Sequence, residues 1–176
     1  MGADRLIRAL ALGVLLLAGC AAEDTLVVSG SEAGRVARIA DGDTLRLSDG
    51  RRIRLVQIDA PEPGSECFGN EAEQELAGLV PPGSEVELER DPSLDERDRF
   101  GRLLRYVTSG GENVNLALVE RGAAAPYFFR GERGRYADDL LDAAEAARAA
   151  RRGLWGVCPA ARLHPGRTLA AGPATD

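Results

Sequence analysis

Three short clusters carry side chains able to do chemistry. Asp41-Gly42-Asp43-Thr44 puts two carboxylates at a bend. Arg54-Leu55-Val56-Gln57-Ile58-Asp59-Ala60-Pro61-Glu62 strings a guanidinium, two carboxylates and a proline along a strand and its exit. Asp98-Arg99-Phe100-Gly101-Arg102 sets an acid and two arginines where a further strand begins. Carboxylates hold hard cations and move protons, and a guanidinium grips anions with a fork that keeps its charge. Taken alone, each cluster also has an ordinary reading. The first is a turn, the third a solvated charged loop, and Arg54 lies on the parity opposite to Ile53 and Leu55, so it faces outward. The single His, His164, lies in a tail containing Pro and Gly. His pairs, Ser-His-Asp triads and Cys-His dyads therefore have almost no raw material.

The elements that must position these groups are written in the hydrophobic pattern. From Gly34 to Gln57, the residues Val36, Ile39, Leu45, Leu47, Ile53 and Leu55 alternate with polar ones, the period of strands with one buried face. Asp41-Gly42 and Asp49-Gly50 are turn formers, which predicts a meander of three strands over 34–40, 43–48 and 52–58. Residues 70–79 read as a short helix stopped by Pro81-Pro82-Gly83, and 84–89 and 103–107 alternate again. Asn115 is expected to cap a helix running through Arg121 and ended by Gly122. An Ala-rich helix follows over 136–152, and 159–176 reads as a disordered tail. The pattern predicts an α+β chain, mainly β, built as an OB-fold five-stranded barrel with about three helices. A single domain over 34–158 fits a length of 176 residues.

The first 20 residues, MGADRLIRALALGVLLLAGC, begin with Arg5 and Arg8 and continue with an apolar run from Ala9 to Ala18. That run is short of the roughly 20 residues a bilayer span needs. It has the form of a secretory signal. Leu17-Ala18-Gly19-Cys20 resembles the lipobox of bacterial lipoproteins. The resemblance implies a signal peptide over 1–19, lipidation of Cys20, a flexible tether over 20–33, and a protein exported and lipid-anchored to the bacterial cell envelope. A plain secretory signal and an N-terminal helix with a buried Cys are the other readings. Export makes Cys67 and Cys158 an even pair in an oxidising compartment, either bridged or as two buried thiols. A bridge would close a loop of about 90 residues and contribute roughly 4–5 kcal/mol in a chain-entropy treatment.

IADGDTLRL, RLVQIDAPE, DRFGRLLRYV, NVNLALVERGAA and RRGLW stand in the order and approximate spacing of staphylococcal nuclease-like (thermonuclease) domains. The resemblance covers roughly 34–156. It implies a calcium-dependent endonuclease that hydrolyses phosphodiester bonds of single-stranded or denatured DNA and RNA and leaves 3′-phosphate ends. It implies Asp43, Asp59 and the main-chain oxygen of Ala60 as Ca²⁺ ligands, although the family often has Thr where Ala60 stands. Glu62 would act on the attacking water, as general base or orienter, and Arg54 and Arg102 would grip the phosphate. Arg99 occupies a place where a phosphate-contacting Lys is usual; this chain has no Lys. Tyr127, Phe128 and Phe129 fall where aromatic groups flank the base, with Tyr127 and Phe129 expected to bind substrate and one or more rings left to the core. The segments around Cys67 and Cys158 resemble a bacterial subgroup with a matching Cys pair, which favours the bridge. A monomer is expected.

The net charge of −6 argues against broad attraction to nucleic acid. Placement changes that reading, because between Gly34 and Arg54 six Arg stand against three Asp. Much of the excess acid lies over 62–96 and 136–147. The expectation is modest, local, calcium-dependent binding with a shallow salt dependence. The rival from another class is a non-catalytic OB-fold lipoprotein that binds nucleic acid or protein. A third reading is a domain that uses Ca²⁺ only for stability. Intact Asp43, Arg54, Asp59, Glu62 and Arg102 favour the enzyme.

Overall fold

The alternating segments become strands in a computed structural model that describes residues 32–174. The expected signal peptide, the Cys20 lipidation site and most of the tether lie outside the described residues. Glu32 and Ala33 are already part of the first strand, β1 (Glu32–Asp41). β2 (Thr44–Leu47) and β3 (Arg52–Leu55) follow as an antiparallel meander. Asp49-Gly50 makes the second turn as expected, with Gly50 at φ 90°, which suits glycine, and the Asp49 carboxylate accepting the Arg51 N–H at 3.0 Å. β4 (Ile58–Asp59) leaves the meander, and α1 (Gly69–Leu79) leads into β5 (Glu85–Glu89) and β6 (Leu103–Ser109). β5 pairs antiparallel with β1 and β6, and β6 lies parallel to β3 with Ile53 opposite Leu103. That last pairing closes a five-stranded barrel, the OB-fold predicted.

Inside it Leu45, Leu47, Ile53, Leu55, Leu88 and Val107 are buried. Two residues of β7 (Glu112–Asn113) lead into α2 (Val114–Glu120), and β8 (Ala125–Pro126) precedes α3 (Ala137–Ala149) and the one-turn α4 (Leu154–Val157). Leu76, Leu118 and Leu140 carry the three longer helices into the same core.

Three expectations are corrected. The third strand ends at Leu55 rather than 58, because Gln57 adopts φ 64° and turns the chain away to pair β4 with β8. Gln57 is held there by its buried amide, which donates to the Glu132 carbonyl at 2.7 Å and accepts the Gly134 N–H at 2.8 Å. Asn115 does not cap α2: Asn113 does, accepting the Leu116 N–H at 3.1 Å. Asn115 is fully buried and ties Val107 N–H to the Val56 carbonyl, joining β6 to the end of β3.

The described part of the expected disordered tail, 159–174, is a docked strap. Leu169 and Ala171 are buried against Cys67, Leu154 and Cys158. The Pro165 and Gly172 carbonyls accept the N–H groups of Phe128 at 2.6 Å and Cys67 at 2.9 Å, and the Ala174 N–H donates to Ser65 at 3.1 Å. Polar, Gly- and Pro-containing sequence lacks the periodicity of a helix or strand, but backbone hydrogen bonds and two apolar anchors order it without that signature.

Candidate active site

Gly42 sets the first part of the site. A Cβ there would stand 2.7 Å from the Ala60 Cβ and 2.8 Å from the Ala72 Cβ, so only glycine lets the β1–β2 bend close on α1 and the chain beyond β4. The bend presents Asp43, whose Oδ2 accepts the Ala60 N–H at 2.9 Å and lies 2.9 Å from Arg54 Nη2. The same Nη2 meets Asp59 Oδ1 at 2.7 Å, while Arg54 Nη1 donates to the Leu55 and Ile58 carbonyls, each at 2.7 Å. Arg54 thus points out of the barrel, as its parity predicts, yet its side chain is only 12% exposed. The last residue of β3 and the first of β4 supply the two carbonyls on either side of the turn.

A second arginine reaches the same place from the residue just before β6. Asp98 accepts the N–H groups of Phe100 and Arg102, both at 2.9 Å, and takes Arg102 Nε at 2.6 Å. Arg102 Nη1 then donates to Thr44 Oγ1 at 3.1 Å, and that hydroxyl donates to Asp43 Oδ1 at 3.1 Å. Burial opposes the charge on Asp98, but the Arg102 side chain and N–H outweigh it and hold the carboxyl below its ordinary range.

The acidic centre is shifted the other way. Burial pushes the Asp43 carboxyl well up, Asp41 and Asp59 add to the push, and Arg54 and the Ala60 N–H only partly oppose it. Asp59 is raised mainly by burial, against Arg54 and the Leu169 N–H. The Asp59 Oδ2 accepts that N–H at 2.7 Å. Glu62 is exposed; partial desolvation and the nearby Asp41, Glu66 and Asp59 raise its carboxyl. Its backbone is held by Glu66, whose carboxylate accepts the Glu62 N–H at 2.8 Å and whose N–H donates to the Glu62 carbonyl at 3.0 Å, and it packs so close to Gly69 that a Cβ there would meet the carbonyl oxygen at 2.2 Å.

Among the described residues, no group of three or more His, Cys, Asp and Glu side chains gathers around a common metal position. The donors present nevertheless fit a hard divalent cation. Asp43 and Asp59 converge on one nitrogen and offer only oxygen donors, and burial opposes their charged forms, which a bound cation would favour. Ala60 takes part through its N–H to Asp43.

A cleft of about 510 Å³ opens beside these groups. Arg54 and Asp59 lie in its wall together with Arg99, Phe100, Arg102, Tyr127, Phe129 and Thr168. Asp43, Ala60 and Glu62 do not; Asp43 connects to the cleft through Arg54. Phe129 is 51% exposed at the cleft, whereas Phe128 is buried with the Arg133 guanidinium 5.4 Å from its ring centre. Tyr127 and Phe129 thus line the cleft, and Phe128 belongs to the core. Arg99 is exposed and stacks on Phe100 at 4.7 Å.

Four contributors were missed as site residues by sequence reasoning. Phe100 is 56% exposed at the cleft, and an aromatic ring inside a charged loop is the signal that would have found it. Thr44 and Asp98 lie within the motifs, but their linking roles appear only in three dimensions. The Leu169 N–H leaves no trace in a side-chain sequence. Cys67 and Cys158 are bridged, with Cα atoms 5.8 Å apart, which decides between the two readings of the pair.

Residues 52–157 match the sequence model of the family described as Staphylococcal nuclease homologue. The chain is similar to Protein ParB of Escherichia coli, with 40% identity over 137 residues, 69% of this chain and 71% of that protein. It is 36% identical over 134 residues to Micrococcal nuclease of Shigella flexneri, covering 69% of this chain and 72% of the relative. Thermonuclease of Staphylococcus hyicus is 31% identical over 129 residues, covering 69% and 74%.

Proposed function

Starting from the staphylococcal nuclease family, to which this chain belongs, we propose that the cleft is the active site of a calcium-dependent endonuclease acting on single-stranded or denatured DNA and RNA. The observation that carries the reading is the pair of guanidiniums, Arg54 and Arg102, held in one cleft wall. Each is fixed by an aspartate, and the two are joined through Asp43 and Thr44.

Both arginines are oriented before substrate arrives, so they meet the charge that grows on a phosphate under attack without reorganising. Their forks bind two phosphate oxygens and keep their charge at any working pH. Glu62, exposed and with its carboxyl raised, takes the proton of the attacking water or orients that water. The water oxygen bonds to phosphorus, the 5′ oxygen leaves with the electron pair of its bond and takes up a proton from solvent to become a hydroxyl, and the phosphate stays on the 3′ side. A Ca²⁺ ion held by Asp43, Asp59 and the main-chain oxygen of Ala60 would supply further positive charge to the phosphate and acidify the water. Phe100, Phe129 and Tyr127 offer rings to unpaired bases, which favours single strands because a paired base has no free face.

Action outside the cytoplasm, anchored through Cys20, fits the Cys67–Cys158 bridge, which persists in oxidising compartments. The test is incubation of the protein with denatured DNA in Ca²⁺ or in chelator, alongside Glu62→Gln and Arg54→Ala. Calcium-dependent degradation that both substitutions suppress by orders of magnitude is the expected result. DNA left uncut but bound would support a binding module instead.

A further inference from the structure

The described chain continues beyond the region matched by the family, which stops at residue 157. Its continuation crosses to the active site. Four hydrogen bonds hold the strap, three of them between backbones: Pro165 and Gly172 accept from Phe128 and Cys67, the Ala174 N–H donates to the Ser65 carbonyl, and the Leu169 N–H donates to the Asp59 carboxylate. Leu169 and Ala171 anchor it in the pocket formed around the disulfide. Between these fixed points Thr168 lines the cleft, and the next N–H, that of Leu169, meets Asp59 Oδ2 at 2.7 Å.

We propose that the strap over 159–174 is a working part of the active site, with the Leu169 N–H as a positioning group that sets the Asp59 carboxylate. The inference rests on the reading of Asp59 as a metal ligand given above. Asp59 stands on a two-residue strand whose one sheet partner is β8, so the backbone alone holds it loosely. Its carboxylate is fixed from two sides instead. Arg54 Nη2 takes Oδ1 at 2.7 Å and the strap takes Oδ2 at 2.7 Å, which leaves one rotamer and one tilt of the carboxylate plane. Hydrogen bonds to a ligating carboxylate orient it and raise its worth as a ligand; losing one typically weakens metal affinity by about 10–100-fold. The donor is a main-chain group, so residue identity at 169 matters only through the N–H and through the apolar anchor.

Leu169→Pro removes the N–H, and Leu169→Ala keeps it while trimming the anchor. Calcium uptake by the full chain, followed by titration calorimetry without substrate, separates the two roles. Leu169→Pro should weaken calcium binding by about tenfold or more. Leu169→Ala should lower the melting temperature with calcium affinity changed by less than about threefold, since the N–H that orients the ligand is kept. Calcium binding by Leu169→Pro as tight as in the parent, or tighter, overturns the proposal.

A second measurement needs no variant. In the parent protein the Leu169 amide proton should be protected from exchange, and its resonance should move with Ca²⁺ at the same midpoint as the calorimetric titration. Exchange at the rate of an unstructured chain, or a resonance indifferent to Ca²⁺, overturns the proposal even if Leu169→Pro fails to fold. A parent protein that takes up no calcium sinks the underlying reading and the strap's role with it. A parent that binds calcium alongside a Leu169→Pro that binds it equally sinks the strap alone.

Discussion

The two arginines and Asp59 are held by different kinds of structure. Arg54 and Arg102 sit on or beside β3 and β6, strands paired to each other in a closed barrel whose inner face is packed with Leu and Ile. Asp59 sits on a two-residue strand and relies on a strap bound through backbone groups. A closed sheet fixes side-chain direction by its pleat, so position along the strand is enough to aim a guanidinium. A strap aims only what its few anchors allow. The barrel side carries its chemistry in side chains, and the strap side contributes a peptide N–H.

The first way to test that division is Glu62→Gln. Glu62 is exposed and its side chain takes part in no hydrogen bond among the described residues, so turnover should fall by about 10²–10⁴-fold while melting stays unchanged. A large loss of stability would mean that the carboxyl belongs to the scaffold. Next comes the double replacement Cys67→Ser with Cys158→Ser. It should cost up to about 4–5 kcal/mol in urea unfolding. Amide protection should fall first across the strap and survive in β2 and β3; simultaneous loss in both would break the distinction between the regions.

Phe100→Ala should raise KM for denatured DNA about tenfold, within the range of roughly 1–3 kcal/mol per stacked base, with kcat little altered. An unchanged KM would remove Phe100 from the substrate path. The smallest effect belongs to Asp98→Asn. The folded protein holds the Asp98 carboxyl below its ordinary value, so its contribution to stability is present above that ordinary value and is lost as pH falls through the lowered one. The parent should therefore lose stability below about pH 4, and Asp98→Asn should show a shallower acid limb in thermal melts. Identical limbs would show that the Asp98–Arg102 pair stabilises nothing.

Much of the barrel side could be read from the sequence, because alternation at Leu45, Leu47, Ile53 and Leu55 dictates which face is buried. The residues of the acidic bend and the two arginines were legible as types in a pattern. What failed to be legible has a common physical origin. Gln57 adopts a left-handed conformation because distant carbonyl and N–H groups satisfy its amide, and Asn115 abandons a cap for a buried bridge between β6 and the end of β3. Both are tertiary hydrogen bonds that override local preference. The strap is the extreme case, since its contact with Asp59 spans 110 residues and uses no side chain of its own. Net charge says little for a related reason: it sums over the surface, whereas the cleft wall sets Arg54, Arg97, Arg99, Arg102 and Arg130 against Asp59, Asp95, Asp98 and Glu132.

The parallel pairing of β3 with β6 has a consequence in time. Ile53 and Leu103 must meet across two intervening strands and a helix before the barrel can close. Such long-range closure is entropically costly and slow compared with forming the β1–β2–β3 meander. Arg54 and Arg102 share no wall until it happens. Refolding should therefore produce hairpin structure early and nuclease activity late, with the cleft appearing as a single cooperative event rather than growing piece by piece.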